Sequence, residues 1–205
     1  MVDKITENKL KIISLYRPNY LSQYHVREIA KLIKKSHVTI LPHLKAIEKD
    51  KVLIFKRIGK NKVYSLNLNN IIAKSYITLS ETVESIRFLE QVFLIKKIFS
   101  EIFRLNSFGT IILFGSYAKK TFKEDSDIDI FCLGDITQNK INQIKKIGET
   151  YGKTINIKKS TINNFENRLR KKDPLIIEIL KNHIILQNPE PFIDLFWRYY
   201  NEIKG

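Results

Sequence analysis

The sequence predicts an α/β (α+β) chain of two modules, and three observations carry that reading. Residues 1–70 pass from helical spacing into two short β-like runs about a glycine. Residues 84–205 alternate apolar strands with helices, and residues 71–83 read as a helical connection. Within the second module a fully apolar run, Ile111 to Phe114, ends in Gly115-Ser116, nine residues before Ser126-Asp127-Ile128-Asp129.

In the first module, Val26, Ile29, Ala30 and Ile33 have the i, i+3, i+4, i+7 spacing of a helix with one buried face. A turn through Lys35 and Ser36 leads to a second helix, reaching about Asp50, with Ile40, Leu44 and Ile47 inward. Thr39 is the expected N-cap, because it puts Pro42 in the first turn, where a missing N–H does no harm. The runs Val52 to Arg57 and Lys62 to Leu66, joined across Ile58, Gly59, Lys60 and Asn61, suit a hairpin. This order resembles the winged helix-turn-helix of many prokaryotic DNA-binding regulators. The resemblance implies a second helix in the major groove and a wing along the backbone. Thr39, His43 and Lys45 would then lie near base edges or phosphates, and Lys56, Arg57, Lys60 and Lys62 near phosphates.

Residues 71–107 read as helix, with an apolar load at Val83, Ile86, Phe88, Leu89, Phe93, Ile95, Ile98 and Ile102 too wide for one buried face. Part of it is expected to support the second module's sheet and part to pair with a second copy of the chain. After Asp129 the pattern gives a strand to about Leu133, a helix from Thr137 to Tyr151, a strand from Thr154 to Lys158, and helices to the end. His183, among Ile179, Leu180, Ile184 and Ile185, reads as a core histidine. Phe192, Phe196, Trp197 and Tyr200, at helical spacing, read as packing.

The chemistry concentrates between residues 111 and 133. Residues i and i+2 of a strand share a face, so Asp127 and Asp129 can hold one metal site while Ile128 enters the core. Gly115 and Ser116 begin a turn whose free amides suit phosphate oxygens. Gly115-Ser116-Tyr117-Ala118-Lys119-Lys120, then residues 121–125, then Ser126-Asp127-Ile128-Asp129 follow the pattern GSxAxGx(5)SDxD without a gap. The segment resembles the minimal nucleotidyltransferases of the DNA polymerase β-like superfamily, with 111–133 the specific part of a likeness spanning roughly 84–205. That resemblance implies Mg²⁺ or Mn²⁺ as cofactor and an NTP as substrate. It implies two-metal-ion phosphoryl transfer in which Asp127 and Asp129 are the catalytic ligands, and a nucleotide held by Gly115, Ser116, Lys119, Lys120 and Ser126. Lys119 and Lys120 replace the family's usual Arg and Gly, and Lys120 lacks glycine's φ freedom. A third carboxylate is expected on the next strand, yet the run there is Ile155-Asn156-Ile157. An amide offers a neutral oxygen and cannot act as a base. Asp125 and Asp173 are the alternatives for that place.

The formal net charge is +15, and residues 1–70 hold 15 Lys and Arg against 5 Asp and Glu. Such a balance points to an anionic partner, nucleic acid first; the two resemblances imply DNA at the winged helix and an RNA acceptor at the second module. A protein hydroxyl is the other acceptor class the resemblance implies. The basic cluster Arg168, Arg170, Lys171 and Lys172 reads as a solvated helix end. One cysteine, Cys132, lies in an apolar run and reads as a buried thiol. With no run of roughly 20 apolar residues and no apolar leader, the chain is expected in the cytoplasm and off the membrane. Two functions stay open: a Mg²⁺-dependent nucleotidyltransferase that binds nucleic acid, or a DNA-binding regulator whose degenerate nucleotidyltransferase domain senses nucleotide or mediates assembly.

Overall fold

The computed structural model describes residues 4–105 and 109–204, and the chain divides into two compact units, Met1–Glu81 with Phe196–Gly205 and Thr82–Leu195. The first unit runs α1 (Glu7–Ser14), β1 (Gln23–His25), α2 (Val26–Leu32), α3 (His37–Lys49), β2 (Leu53–Ile58) and β3 (Asn61–Leu66). Its strands form an antiparallel sheet in the order β1-β3-β2, with Ile58 opposite Asn61. Gly59-Lys60 therefore closes the hairpin, and Gly59 takes a φ of 59° that only glycine adopts without cost. Ile29, Ile40, Leu44, Ile47 and Leu53 are fully buried, so the helical spacing read in the sequence is the core face. This is the winged helix-turn-helix architecture. The three-residue β1 is too short to leave a periodic signal and was not expected.

The start of α3 differs from the sequence expectation. Ser36, not Thr39, is the N-cap, and its Oγ accepts the Thr39 N–H at 3.0 Å. Pro42 consequently sits inside the helix rather than in its first turn. The fold tolerates it because the carbonyl deprived of a partner belongs to Val38, which is 76 % exposed, where water can satisfy the oxygen.

The second unit contains part of α4 (Ile71–Gln91), α5 (Phe93–Arg104), β4 (Thr110–Phe114), α6 (Gly115–Ala118), β5 (Ile128–Leu133), α7 (Gln138–Thr150), β6 (Ile155–Ser160), α8 (Ile162–Arg170), α9 (Pro174–Lys181), β7 (Ile184–Gln187) and the start of α10 (Glu190–Lys204). The sheet order is β6-β5-β4-β7, with β5 and β6 parallel and the other pairs antiparallel. All five residues of β4 are buried, as a strand covered on both faces requires. Ile111, Leu113, Ile128, Ile130 and Cys132 pack on one face with Ile95, Ile98 and Ile102 of α5 and Ile141 and Ile144 of α7. On the other face Phe131 meets Phe165, and Phe165 meets Phe192, at ring-centroid distances of 5.4 and 6.1 Å.

Several expectations change here. The helix read over 71–107 is broken at Val92 (φ −117°, ψ 78°), and 106–108 lie outside the described residues. Of that apolar load, Ile95, Ile98 and Ile102 are buried while Ile86 and Phe93 stand exposed. The C-terminal stretch expected to be all helix contains β7, which pairs Ile184 and Ile185 with Leu113 and Ile112. Four residues are too few to separate strand from helix by period. Residues 196–204, assigned to the second module by sequence, pack with the first unit: Trp197 Nε1 donates to the Leu68 carbonyl at 3.0 Å, and Tyr20 stacks near Tyr200 at 5.0 Å. His183 is buried, its Nδ1 2.9 Å from the Ile179 carbonyl oxygen and its ring edge-on to Phe192. Burial pushes the Cys132 thiol up to about 12, an inert core group.

Replacing Pro42 by Ala restores the missing helix bond, and we expect it to raise the unfolding free energy by about 1–2 kcal/mol, net of proline's stiffening of the unfolded chain. Urea unfolding followed by circular dichroism measures the shift; an unchanged or lower midpoint would show that Pro42 is not strained.

Candidate nucleotide and metal site

The site forms where β4 ends beside the start of β5. Phe114 pairs with Asp129 across the antiparallel ladder, and the next residue, Gly115, turns away at φ +67°. A Cβ built on Gly115 would lie 2.3 Å from Asp129 Oδ2, so the backbone here approaches the carboxylate as closely as a missing side chain allows. Two independent constraints, the positive φ and this contact, thus demand glycine.

Gly115 opens the single turn α6, which ends in a left-handed cap. Lys120 takes φ 58°, its N–H reaches the Tyr117 carbonyl at 3.1 Å, and the Thr121 N–H reaches the Ser116 carbonyl at 2.9 Å. The sequence expectation that lysine withholds glycine's freedom is therefore corrected: Lys120 adopts the conformation, at a cost of about 1–2 kcal/mol, to close a Schellman-type cap. Tyr117, buried, stacks on Phe122 at 4.4 Å and 11°, fixing the loop beyond.

Across the strand the carboxylates converge. Asn156 lies opposite Asp129 in the parallel β5–β6 register, and its Nδ2 donates to Asp129 Oδ1 at 3.2 Å and to Asp127 Oδ2 at 3.3 Å. Ile128 between them is fully buried on the opposite face. Asn156 therefore faces both aspartates from the neighbouring strand. Asp173 does not replace it, since its oxygens cap α9 through the Leu175 and Ile176 N–H groups and pair with Arg168 at 3.1 Å. Among the described residues no group of three or more His, Cys, Asp or Glu is placed to hold a metal, so Asp125 does not complete the set either. The two carboxylates still offer hard oxygen donors aimed at one point, a fit for one Mg²⁺ or Mn²⁺.

The remaining nucleotide candidates have other engagements. Lys119 pairs with Glu178 at 2.6 Å. Ser126 serves the turn, its Oγ accepting the Lys123 N–H at 2.8 Å. Lys153, which no sequence pattern singled out, ties that turn from the far side: its Nζ donates to the carbonyls of Glu124 and Ser126. Lys153 and Asn156 line a cavity of about 480 Å³ with Lys145 and Thr154. A lysine after a glycine in a turn carries no signal in the sequence.

In the winged helix, the structure redistributes the expected contact residues. A groove of about 940 Å³ is lined by Arg27, His37, Lys45, Lys60 and Lys62, of which Arg27 and His37 had not been selected. Thr39 is exposed, its hydroxyl 2.7 Å from that of Ser36. His43 is turned away, its ring between Thr6 Oγ1 at 3.3 Å and Asn8 Nδ2 at 3.0 Å on the α1 side. Lys62 is held by Glu48 at 3.0 Å and by the Phe55 ring at 3.7 Å. Lys56 and Arg57, adjacent on β2, face opposite sides of the wing.

The mixed sheet brings the glycine turn and the two aspartates together at one end of β4 and β5. Residues 94–186 match the family model described as a nucleotidyltransferase domain. No curated protein matches the chain. Among solved structures it is similar to reduced HlyU from Vibrio cholerae N16961, at 19% identity over 38% of this chain and 77% of that one with a TM-score of 0.32. It is also similar to a toxin-antitoxin crystallised with AMP-PNP, at 16% identity over 53% of this chain and 85% of that one with a TM-score of 0.37. Neither likeness is close enough to assign a function.

Gly115→Ala is expected to push Asp129 out of place and to lose the thermal stabilisation that Mg²⁺ with a nucleoside triphosphate gives the wild type, besides costing about 1–2 kcal/mol of stability for the positive φ. Retained ligand stabilisation would show that the close approach is not required. Arg168 beside Asp173, with the α9 amides, holds that carboxyl below its ordinary 3.8. A depressed pKa stabilises the fold above 3.8 and stops doing so as pH falls through the lowered value. Asp173→Asn should flatten this part of the acid limb of a stability curve measured by urea midpoints, and an unchanged acid limb would contradict the pairing.

Proposed function

We propose that this chain transfers a nucleotidyl group from a nucleoside triphosphate to a hydroxyl of a nucleic acid or protein, with the winged helix-turn-helix engaging nucleic acid. The observation that carries the reading is the meeting of Gly115 with Asp129 while Asp127 and Asp129 aim at one point. Asp127 and Asp129 would hold the divalent cation, which when bound neutralises the triphosphate and polarises its phosphorus. The turn at Gly115 and Ser116, beside the Asp129 carboxylate, would offer backbone amides to the phosphates. Lys120, free of the ion pair that occupies Lys119, supplies a further cation to the turn. The acceptor hydroxyl would attack in line and expel pyrophosphate. Its proton finds no carboxylate on β6, because Asn156 stands there, and turnover is therefore expected to be slow.

That same amide favours a second reading, a DNA-binding regulator whose second module binds nucleotide without turning it over. A basic groove of Arg27, His37, Lys45 and Lys60 supports nucleic-acid contact under either reading. Pairing with a second copy and a cytoplasmic location remain part of the proposal; no helix among the described residues is long and apolar enough to cross a membrane.

Both readings predict that Mg²⁺ with NTP stabilises the protein, by about 2.7 kcal/mol at a hundredfold excess over Kd, and that Asp127→Ala and Asp129→Ala each abolish the effect. Label transfer from α-³²P-NTP to RNA, DNA or protein then selects the transferase. Stabilisation without transfer, together with a mobility shift on DNA at low salt, selects the regulator. Absence of stabilisation in the wild type would refute the nucleotide site in both.

A further inference from the structure

We infer that this site binds one divalent cation where the chemistry of its relatives uses two, and that Asn156 excludes the second. The inference rests on the nucleotide-site reading above and changes its metal count.

Two dications held about 3.5–4 Å apart repel with four times the energy of two unit charges at that distance, and a two-metal site offsets this with shared anionic ligands. Here the anionic ligands are Asp127 and Asp129 alone. The position opposite Asp129 carries an amide, the two oxygens of Asp173 are taken by Arg168 and the α9 amides, and among the described residues no third acid joins the pair. With Asn156 in place of an acid the side-chain charge is −2 rather than −3.

The amide does more than lack a charge. Its Nδ2 reaches both carboxylates, at 3.2 and 3.3 Å, and so acts as a neutral donor between them in the manner of a bridging cation. Turned about, the amide presents a single neutral oxygen, which serves as one ligand of one ion and cannot bridge two. Lys153 adds a positive charge to the neighbourhood of Asn156. Its ammonium is anchored on the carbonyls of Glu124 and Ser126, which precede Asp127, and it lines the same cavity as Asn156, with Lys145 alongside. Mg²⁺ demands near-octahedral oxygen ligation, so the point where Asp127 and Asp129 converge remains suited to one ion.

Equilibrium dialysis of the full chain against Mn²⁺, with each α,β-methylene nucleoside triphosphate in turn, counts the bound ions, and electron paramagnetic resonance reads whether they are coupled. One ion per chain without spin coupling is expected. Asn156→Asp, checked for a normal unfolding transition, should bind two, with the dipolar broadening of ions about 3.5–4 Å apart. Two ions on the wild type overturn the inference and leave the nucleotide-site reading standing. A folded Asn156→Asp protein that still binds one overturns the role of Asn156. No ion on the wild type with any analogue overturns the inference and the nucleotide-site reading together. Should the variant not fold, the wild-type count alone decides.

Discussion

The approach of the Gly115 backbone to the Asp129 carboxylate governs the second unit's site. It follows from the antiparallel register of β4 with β5, which sets Phe114 opposite Asp129, so the next residue must turn beside a charged side chain. With no Cβ to intervene, the turn and the carboxylate share a space that any other residue would fill at 2.3 Å. The rest is arranged around that contact: α6 is capped by Lys120 in a left-handed conformation, and the loop beyond is pinned by Tyr117 on Phe122. Lys153 ties down the last turn before Asp127.

Two carboxylates at the start of β5, Asp127 just before the strand and Asp129 within it, repel each other, and the fold answers with a neutral amide. In a related site a third acid would intensify the repulsion and reward metal binding; Asn156 relieves it by donating to both. The protein is thereby less dependent on a cation for local stability. The physical consequence is a pair of carboxylates held by a neutral donor, the feature on which the proposals of slow transfer or nucleotide sensing rest.

In the winged helix the cations divide by what they already hold. Lys62 is committed to Glu48 and Phe55, while Arg27, Lys45 and Lys60 line an open groove between the elements of that unit. A net charge of +15 is thus only an upper guide to what an anion meets, since Lys62 spends its charge inside the protein. His43 shows the same point for position on a helix. Three residues after Ile40 and one before Leu44, both fully buried, it lies on the flank of the core stripe, where α1 claims it.

The sequence by itself determined what depends on local periodicity and fixed spacing. The helices of the first module, its hairpin, the apolar β4, the helix α7 and the gapless motif from Gly115 to Asp129 were legible because each signal lies within a turn or a strand of its own. Even the place of Asn156, on the strand beside the acidic pair, could be read from the pattern around it. Tertiary structure decided what depends on residues far apart in the chain. The strand β7 and the packing of residues 196–204 with the first unit are set by partners tens of residues away. So are the bridge from Asn156 to both aspartates, the tie from Lys153 and the diversion of His43 and Lys119. Spacing along a chain fixes which side chains share a face; only the fold fixes what that face meets.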